Sequence, residues 1–435
     1  MFCRASILLG VQFVLLFVTI GCTRKTPVTE IDIGSSGIEL RDVNTAAVEW
    51  PVFRGPDGNG VLAEQTVPTT WSESENVRWV ADVPGRGHGS PIVVGELVVL
   101  PTAIDDQEEQ RVVAFDRETG DQVWNKLIHS GGFPSDREVH QKSTNANATL
   151  ASDGQRLYAV FMNSNKVIAT ALDLNGEQVW QQEVGSFVSK FGFAPSPILY
   201  KSFVIVTADN LGGGYVAALD GETGEVAWRI ARQAINSHST PAIANVGGKE
   251  QMLLSGCDTV TSYDPATGEE NWSTQCTSQT TCGTMVASED FVLASGGFPD
   301  KQTVCLSANG EIQWENRTKI YEPSMLLVGD YVYAASDDGI AYCWDVASGK
   351  EQWKKRLGNN FSSSPWTTGG NIFVSDLGGT TYVFAASPDG FQQVAKNKLG
   401  SDCYATPAVV DGAIYTRVGT RASNKRVEKL YCIAQ

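Results

Sequence analysis

Acidic turns followed by a tryptophan are the first residues in this sequence that could do chemistry. The stretch Asp220-Gly-Glu-Thr-Gly-Glu-Val-Ala-Trp228 places carboxylates beside an indole ring, as an acidic active-site loop would. The same spacing of four residues from glycine to tryptophan recurs along the chain, with a period of roughly 45 residues that is typical of stacked structural units. We therefore interpret the turn as part of a repeat rather than as an active site.

Each copy of the turn has the same physical role. The aspartate can accept backbone N–H groups while the glycine takes a positive φ, which closes a tight hairpin. The tryptophan then lies on the outermost strand, where its ring can pack against the next unit. A decayed copy has Gly390 and Val394. The complete or shortened turns contain Asp116, Gly120 and Trp124; Asp173, Gly176 and Trp180; Asp220, Gly224 and Trp228; Asp264, Gly268 and Trp272; Gly310 and Trp314; and Asp345, Gly349 and Trp353.

Nine cysteines and four histidines are the other candidates for chemistry. Cys276 and Cys282 are the best candidates for a disulfide, since they lie close together across one loop and could be oxidised if the protein is exported. Their spacing is not that of a zinc site, and no histidine follows at ligand distance. His88 and His238 each lie two residues before the start of a repeat, which predicts that they share one face. We expect no metal.

Composition excludes one class of partner. The formal charge is −16, with 33 basic and 49 acidic residues, and no long run of Lys or Arg is present. A phosphate backbone is bound by clustered positive charge, so nucleic acid is not an expected ligand. The 42% hydrophobic content, with 43 glycines, is typical of an all-β globular protein.

The first 75 residues precede the repeats and divide into three segments. Residues 1–22 are predicted to be an export signal, because the apolar run is too short to span a bilayer. The ending Thr19-Ile20-Gly21-Cys22 resembles a bacterial lipobox, which predicts acylation of Cys22 and outer-membrane anchoring; the alternative is an ordinary secretory signal. Residues 23–48 are predicted to be a flexible tether, and residues 49–75 an ordered lead-in strapped onto the fold.

The repeats from residue 76 to 435 predict an eight-bladed β-propeller. Each unit opens with a hydroxyl residue and proline, as in Ser90-Pro91, and continues with period-two alternation that is typical of four antiparallel strands. Asn147-Ala148, Thr284-Met285 and Ser324-Met325 are interpreted as variant openings, which brings the total to eight. The last unit lacks its outer strand. We expect the strand containing Trp79 to complete that blade and close the ring.

The turns and the Ser-Pro openings resemble the pyrroloquinoline-quinone-type (PQQ-like) repeat family. Its known branches are the quinoprotein dehydrogenases and the outer-membrane assembly lipoprotein BamB, and the lead-in is also similar to envelope PQQ-repeat proteins of planctomycete type. The dehydrogenase branch implies adjacent cysteines, a Ca²⁺ site and bound PQQ. This sequence contains no Cys-Cys pair. The resemblance therefore favours the non-catalytic branch, without a cofactor.

Function is expected on the face where the loops do not repeat, because binding residues concentrate on loops held by a rigid scaffold. We expect a monomeric envelope lipoprotein of BamB type that binds another envelope protein as a scaffold or assembly accessory. The alternatives are a PQQ- and Ca²⁺-dependent oxidoreductase and a carbohydrate-binding propeller. The candidate partner-binding residues are the histidines and loop aromatics His88, Phe133, Phe191, Phe193, His238, Phe298, Tyr321, Phe361 and Tyr404.

Overall fold

The computed structural model describes residues 37–43, 48–422 and 425–435. The predicted export signal and Cys22 lie outside these residues. Within the described ranges, no helix is long and apolar enough to cross a membrane. The described residues form strands, with one 3₁₀ turn at Asp105–Gln107.

Eight four-stranded antiparallel sheets make up the molecule, which confirms the predicted eight-bladed propeller. In blades 1 to 4 the strands run in chain order from the axis outwards. They are β2 (Ile92–Val94), β3 (Leu97–Ile104), β4 (Glu109–Asp116) and β5 (Gln122–Ser130) in blade 1; β6 (Ala151–Ser152), β7 (Arg156–Asn163), β8 (Lys166–Asp173) and β9 (Gln178–Ser186) in blade 2; β10 (Ile198–Tyr200), β11 (Phe203–Thr207), β12 (Gly214–Asp220) and β13 (Val226–Arg232) in blade 3; and β14 (Ala242–Val246), β15 (Lys249–Gly256), β16 (Thr259–Tyr263) and β17 (Glu270–Gln275) in blade 4.

Blades 5 to 7 repeat this order, and blade 8 differs. Its inner three strands come from the C-terminus and its outer strand is β1 (Val77–Val83), as predicted. The strands are β18 (Val286–Ala287), β19 (Phe291–Gly296), β20 (Gln302–Ser307) and β21 (Ile312–Asn316) in blade 5; β22 (Leu326–Val328), β23 (Tyr331–Ala335), β24 (Ile340–Asp345) and β25 (Glu351–Arg356) in blade 6; β26 (Trp366–Thr368), β27 (Asn371–Ser375), β28 (Thr380–Ala385) and β29 (Gln393–Lys398) in blade 7; and β30 (Ala408–Val410), β31 (Ala413–Ala422), β32 (Lys425–Ile433) and β1 in blade 8.

The burial of each strand depends on its place in the blade. Strand β11 is buried at every residue because neighbouring blades cover both of its faces. The outer strand β9 is buried only at intervals and exposes alternate side chains. Inner strands therefore need continuous apolar sequence, whereas outer strands keep the alternating pattern that made the repeats visible.

In every blade except blade 7, the repeat tryptophan packs against the next blade. The Trp180 ring lies over Gly224 in the next blade, and its Nε1 donates a hydrogen bond of 3.0 Å to the Gly221 carbonyl. A Cβ added at Gly224 would lie 2.7 Å from that ring, and Gly224 has φ +77°. Glycine is required here both by the conformation and by the close approach of the indole. The same contact joins Trp79 to Gly120, Trp124 to Gly176, Trp228 to Gly268, Trp272 to Gly310, and Trp314 to Gly349.

A small residue lies opposite each of these tryptophans on the adjacent strand. Trp79 pairs with Cys432, so the strand that closes the ring has the same register as the others. Three cysteines occupy this position and are fully buried, which explains them as packing residues. The opposed pairs are Ala114 and Trp124, Ala171 and Trp180, Ala218 and Trp228, Ser262 and Trp272, Cys305 and Trp314, and Cys343 and Trp353.

Blade 7 lacks its tryptophan because blade 8 has no covalent outer turn to receive it. Val394, which the spacing predicts at this position, is exposed, and Ala395 takes the inward place instead. Trp71 from the lead-in is buried in the same hydrophobic cluster. Its backbone N–H donates to Asn397 Oδ1 at 3.0 Å. The lead-in therefore supplies the indole that the repeat lost.

Residues 37–43, which belong to the segment predicted as a tether over residues 23–48, contact the propeller. Arg41 exchanges backbone and side-chain hydrogen bonds with Ser202 and forms an ion pair of 2.6 Å with Asp220. Ile38 and Leu40 are partly buried against blade 3. These apolar and charged contacts fix the segment to the propeller.

The predicted disulfide between Cys276 and Cys282 is wrong, since both thiols are free. Cys276 is buried in a hydrophobic cluster with residues of blades 4 and 5, and its Sγ lies 3.5 Å from the Thr274 carbonyl oxygen. Cys282 faces the central funnel instead. A separation of six positions in the chain does not bring the two sulfurs together, because the loop between them runs from the blade junction to the axis.

Candidate functional site: a closed axial funnel

A ring of buried hydroxyls surrounds the propeller axis where the inner strands begin. In seven of the eight steps, a hydroxyl oxygen accepts the backbone N–H of the corresponding residue in the adjacent blade, at 2.9 to 3.0 Å. This hydrogen bond explains why the repeats open with Ser or Thr. The step from Thr240 to Thr284 is missing, and Thr284 Oγ1 has no partner. The ring members are Ser90, Thr149, Ser196, Thr240, Thr284, Ser324, Ser364 and Thr406.

The ring corrects one sequence interpretation. In blade 2 the hydroxyl comes from Thr149, two residues after the Asn147-Ala148 pair that we took as the opening. Asn147 instead holds the loop before β6 through hydrogen bonds to Thr144 and Phe193. The error arose because neither pair contains the proline that marks other openings.

The lead-in crosses the axis and forms the floor of the funnel. Trp50 pairs with Val93 of blade 1, and the Pro51 carbonyl accepts the Ser152 N–H of blade 2. Further along, Arg54 bonds Met325 at the start of blade 6, opposite blade 2, and Val61 pairs with Thr367 of blade 7. Between them, Phe53 lines the funnel and Arg54 is only 1% exposed. Arg54 Nη2 donates to the carbonyls of Asn59 and Met325 at 2.7 and 2.5 Å. The sequence predicted an ordered lead-in but gave no sign that it closes the channel.

Above this floor lies a cavity of about 410 Å³. Its walls carry aromatic and imidazole rings from the loops before six different blades and from one loop inside blade 5. His88 stacks on Tyr404 with ring centres 4.0 Å apart, and Phe191 meets His238 edge-on at 6.3 Å. Lys319 Nζ lies 5.0 Å from the centre of the Tyr321 ring. The funnel thus combines flat apolar surfaces with fixed positive charge.

An ion pair bridges the mouth of the funnel. Lys142 precedes the inner strand of blade 2, and Glu322 precedes that of blade 6, which lies opposite in a ring of eight. Their side chains meet at 2.8 Å, and Ser362 also donates to Glu322. The long loop of residues 130–143 therefore reaches across the axis. The cavity is bounded by this pair above and by Phe53 below.

The titratable groups in the funnel favour binding over acid–base catalysis. Burial lowers the pKa of His238 to about 4 and that of His88 well below its usual value, so both rings are neutral at pH 7. Burial raises the pKa of the Cys282 thiol, which keeps this candidate nucleophile protonated. Burial alone would lower the pKa of Lys142, but the hydrogen bond and charge of Glu322 raise it.

The donor set does not fit PQQ with Ca²⁺. Within the described ranges, no group of three or more His, Cys, Asp or Glu side chains could hold a metal ion. Glu322 is engaged by Lys142 and Ser362, and Asp337 accepts the Tyr321 N–H at 2.7 Å. Cys282 lines the funnel without an adjacent cysteine.

The structure brings together six of the nine candidate partner-binding residues. His88, Phe191, His238, Phe298, Tyr321 and Tyr404 all line the funnel. The other three do not reach it. Phe193 and Phe361 are 5% and 0% exposed in hydrophobic clusters, and Phe133 packs against another cluster. Sequence placed all nine on loops, but loop position alone does not say whether a ring turns towards the axis or into its own blade.

Several funnel residues were missed by sequence reasoning. His140, Lys142 and Glu322 lie in loops of ordinary polar composition, and only the tertiary structure brings them to the axis. The long insertion at residues 130–143 was the one available signal. Phe53 could have been suspected from its place in a turn-rich, aromatic lead-in.

The outer rim of this face also carries exposed apolar side chains. Val188 is 50% exposed and Leu211 is 43% exposed, on adjoining loops that are joined by a hydrogen bond of 3.1 Å from the Val188 N–H to Asn210 Oδ1. Phe298 is 52% exposed at the rim above blade 5. The side chain of Lys190 lies over the neighbouring Phe191 ring. Such a surface, apolar with one charge beside it, is typical of a protein interface.

Fold and site together define an eight-bladed PQQ-like propeller whose funnel lacks the residues of a quinoprotein centre. Comparison with known proteins gives the family. The family model described as outer membrane protein assembly factor BamB matches residues 45–187, 108–355 and 300–393. The chain belongs to this family.

Individual relatives agree with this assignment. The outer membrane protein assembly factor BamB of Burkholderia pseudomallei is 26% identical over 373 residues, which cover 80% of this chain and 87% of that protein. The crystal structure of BamB from Moraxella catarrhalis superposes with a TM-score of 0.60 at 15% identity, over 82% of this chain and 99% of that one. The quinohemoprotein alcohol dehydrogenase of Comamonas testosteroni gives 0.64 at 14% identity, over 89% and 81%. Both structural likenesses concern the fold alone.

Proposed function

We propose that this protein is a non-catalytic accessory of outer-membrane protein assembly, which binds another envelope protein through the loop face of its propeller. The observation that carries the proposal is the family match, which extends from residue 45 to residue 393. The funnel supports it, because its thiol is protonated and its carboxylates are already paired. The protein would act in the bacterial envelope as a scaffold rather than as an enzyme.

The docking surface in this proposal is the rim formed by Val188, Leu211 and Phe298, together with the funnel residues behind it. Burying large apolar side chains provides most of the favourable free energy of a protein interface. These three side chains are each at least 43% exposed on the loop face. Phe193 and Phe361, in contrast, are buried in the interior of the propeller. The rest of the rim would contribute shape and charge complementarity.

Attachment to the membrane completes the proposal. Acylation of Cys22 would place the propeller at the outer membrane, with residues 37–43 and the lead-in connecting the lipid to the fold. The contacts of Arg41 with Ser202 and Asp220 indicate that the connection leaves the propeller on the face of the repeat turns. The loop face would then be free for the partner. A Cys22→Ser variant that stayed in the same membrane fraction would contradict this step.

A site-specific crosslinking experiment tests the docking surface. A photocrosslinking residue at Leu211 is expected to capture a component of the β-barrel assembly machinery in intact cells. The matched control is the same residue at Val179, which is 48% exposed but lies on the outer strand β9. Equal capture at both positions, or capture at Val179 alone, would contradict docking on the loop face.

The quinoprotein alternative has a separate test. Titration with PQQ and Ca²⁺ should leave the tryptophan fluorescence of the purified protein unchanged, since the funnel lacks the paired cysteines and free carboxylates that would hold them. Stoichiometric quenching with reduction of a dye by an alcohol would overturn the proposed function. The carbohydrate-binding alternative is tested in the same way, by following tryptophan fluorescence while oligosaccharides are added.

A further inference from the structure

The hydroxyl ring holds more hydrogen-bond donors than acceptors. Its eight side chains are between 1% and 6% exposed. Seven of the oxygens already accept a backbone N–H. None of the described residues accepts a hydrogen bond from any of the eight hydroxyl protons. A hydroxyl has one proton to donate, and five of the eight ring members line the funnel, so the ring presents a set of donors around the axis.

Arg54 adds a buried positive charge directly beside this ring. Its Nη2 bonds the carbonyl of Met325, the residue that follows the ring member Ser324. Its Nε and Nη1 are buried without any partner. No carboxylate of the described residues lies within 4.0 Å of it, whereas Arg232 and Arg417, which are similarly buried, are each paired with one. Burial lowers the pKa of the Arg54 guanidinium to about 9.

These two features call for an acceptor that brings negative charge. A buried unpaired cation is strongly unfavourable, and buried donors are almost always satisfied in native proteins. A water molecule would accept hydrogen bonds but would also bring two donors of its own. An anion accepts only, and it would pair with the guanidinium while receiving the hydroxyl protons.

We propose that a small inorganic anion of the halide class binds on the propeller axis, between the hydroxyl ring and the guanidinium of Arg54. Arg54 is closely packed on its Nη2 side, which leaves Nε and Nη1 as the donors for the anion. A Cβ added at Gly60 would lie 3.0 Å from Arg54 Nη2, from Leu326 and from the Pro365 carbonyl oxygen. By holding Arg54 against the ring, the anion would fasten the lead-in across the axis and keep the funnel floor closed.

Crystals grown in sodium bromide test the site directly. Anomalous diffraction at the bromine edge should show a peak on the axis within hydrogen-bond distance of Arg54 Nε or Nη1 and of at least one ring hydroxyl. Density on the axis without anomalous signal, or bromide only on the outer surface, would overturn the proposal. This measurement uses the unaltered protein, so it does not depend on a variant that folds.

A solution experiment measures the contribution of one donor. Thr284→Val removes a hydroxyl that accepts no ring bond, so the variant loses only a donor to the anion. Thr207→Val is the matched control, because Thr207 Oγ1 is likewise buried without a partner but lies in β11, away from the funnel. Replacing sodium gluconate with sodium bromide at equal ionic strength should raise the Tm of the unaltered protein and of Thr207→Val by about 2 to 4 °C. The rise should be clearly smaller for Thr284→Val.

Two outcomes of the Tm measurement would overturn the proposal. An equal rise in Tm for all three proteins would mean that bromide acts through the general surface, and it would overturn the axial site. The absence of any rise in the unaltered protein would do the same. Neither result bears on partner docking, so failure here is distinguishable from failure of the proposed function.

Discussion

The blade junctions and the axial funnel solve the same problem, closing a gap between blades, by opposite means. At the junctions one contact, an indole over a glycine, is repeated six times with nearly identical geometry. At the axis, each contact is unique and joins residues that share no sequence motif. The ion pair of Lys142 and Glu322 across the funnel mouth is an example. The repeated residues of this protein therefore stabilise the fold. Function is expected among the residues that do not repeat, which lie in the funnel and its loops.

The two regions also differ in their electrostatics. In the repeat turns, hydrogen bonds from the turn itself lower the pKa of the partly exposed carboxylates of Asp116, Asp173 and Asp345. In the funnel, burial lowers the pKa of His88 and His238. The turns are stabilised by charge that stays in water, whereas the funnel keeps its histidines neutral by excluding water.

The largest effect should separate two phenylalanines that the sequence placed in one class. Phe361→Ala should destabilise the protein by about 3 to 5 kcal/mol, because the ring is fully buried against Tyr382 in a hydrophobic cluster. Phe298→Ala should change the stability by less than about 0.5 kcal/mol, because the ring is half exposed. Chemical denaturation followed by tryptophan fluorescence measures both. Similar losses for the two variants would remove the distinction between interior and rim aromatics.

A smaller effect should come from the junction glycine. Gly224→Ala should cost about 2 to 4 kcal/mol, since alanine is strained at positive φ and its Cβ would overlap the Trp180 ring. The matched control is Gly370→Ala, where φ is +71° and no atom lies within 4 Å of the added Cβ. That variant should lose only the backbone part, about 1 kcal/mol. Equal losses in denaturation midpoints would show that the indole contact adds nothing.

The histidines predict a pH dependence that belongs to the funnel. His238 has a pKa of about 4 in the folded protein, whereas a histidine in the unfolded chain titrates near 6.5. The unfolded chain therefore binds the proton first as the pH falls, so this stability is complete above pH 6.5 and is lost towards pH 4. The loss from His238 between pH 7 and pH 5 should be about 2 kcal/mol.

A His238→Gln variant supplies the control for that loss. Its free energy of unfolding should fall less between pH 7 and pH 5 than that of the unaltered protein, with both measured by urea denaturation. The turn carboxylates do not interfere in this range, because their lowered pKa values move their contribution to more acidic pH. An unchanged pH slope in the variant would argue that His238 is not desolvated.

The smallest effect should be at the docked N-terminal segment. Arg41→Ala should cost about 0.5 to 1 kcal/mol, because the guanidinium is half exposed although its partner Asp220 is buried. The loss should shrink in high salt, which screens the pair. A matched Arg78→Ala change removes an ion pair with Glu118 that is exposed on both sides, and it should cost less. Thermal unfolding at two salt concentrations distinguishes these outcomes.

Much of the fold could be predicted from the sequence, because the residues that define it interact over short distances along the chain. The aspartate, glycine and tryptophan of each turn lie within nine residues, so their spacing is visible in the sequence. Comparing the number of strand openings with the number of turns was enough to place Trp79 in the last blade. The Thr149 position and the inward place of Ala395 were missed, because both depend on a register that the sequence does not mark.

The site was only partly predictable. Six of the nine loop residues chosen as candidates line the funnel, but Phe193 and Phe361 do not, since an aromatic on a loop packs wherever the nearest apolar surface lies. Cys276 and Cys282 were paired from sequence proximity and proved to face different environments.

By itself, the sequence determined the number of blades, the position of the fastening turns and the strand that closes the ring. Each of these follows from short-range patterns of turn geometry and alternating burial. The tertiary structure alone decided that Trp71 replaces a lost tryptophan, that Arg54 is buried against Met325 without a carboxylate partner among the described residues, and that Lys142 meets Glu322. Those contacts join residues 180 to 326 positions apart. No spacing in the chain encodes them, because closing a ring brings together parts that the repeat keeps separate.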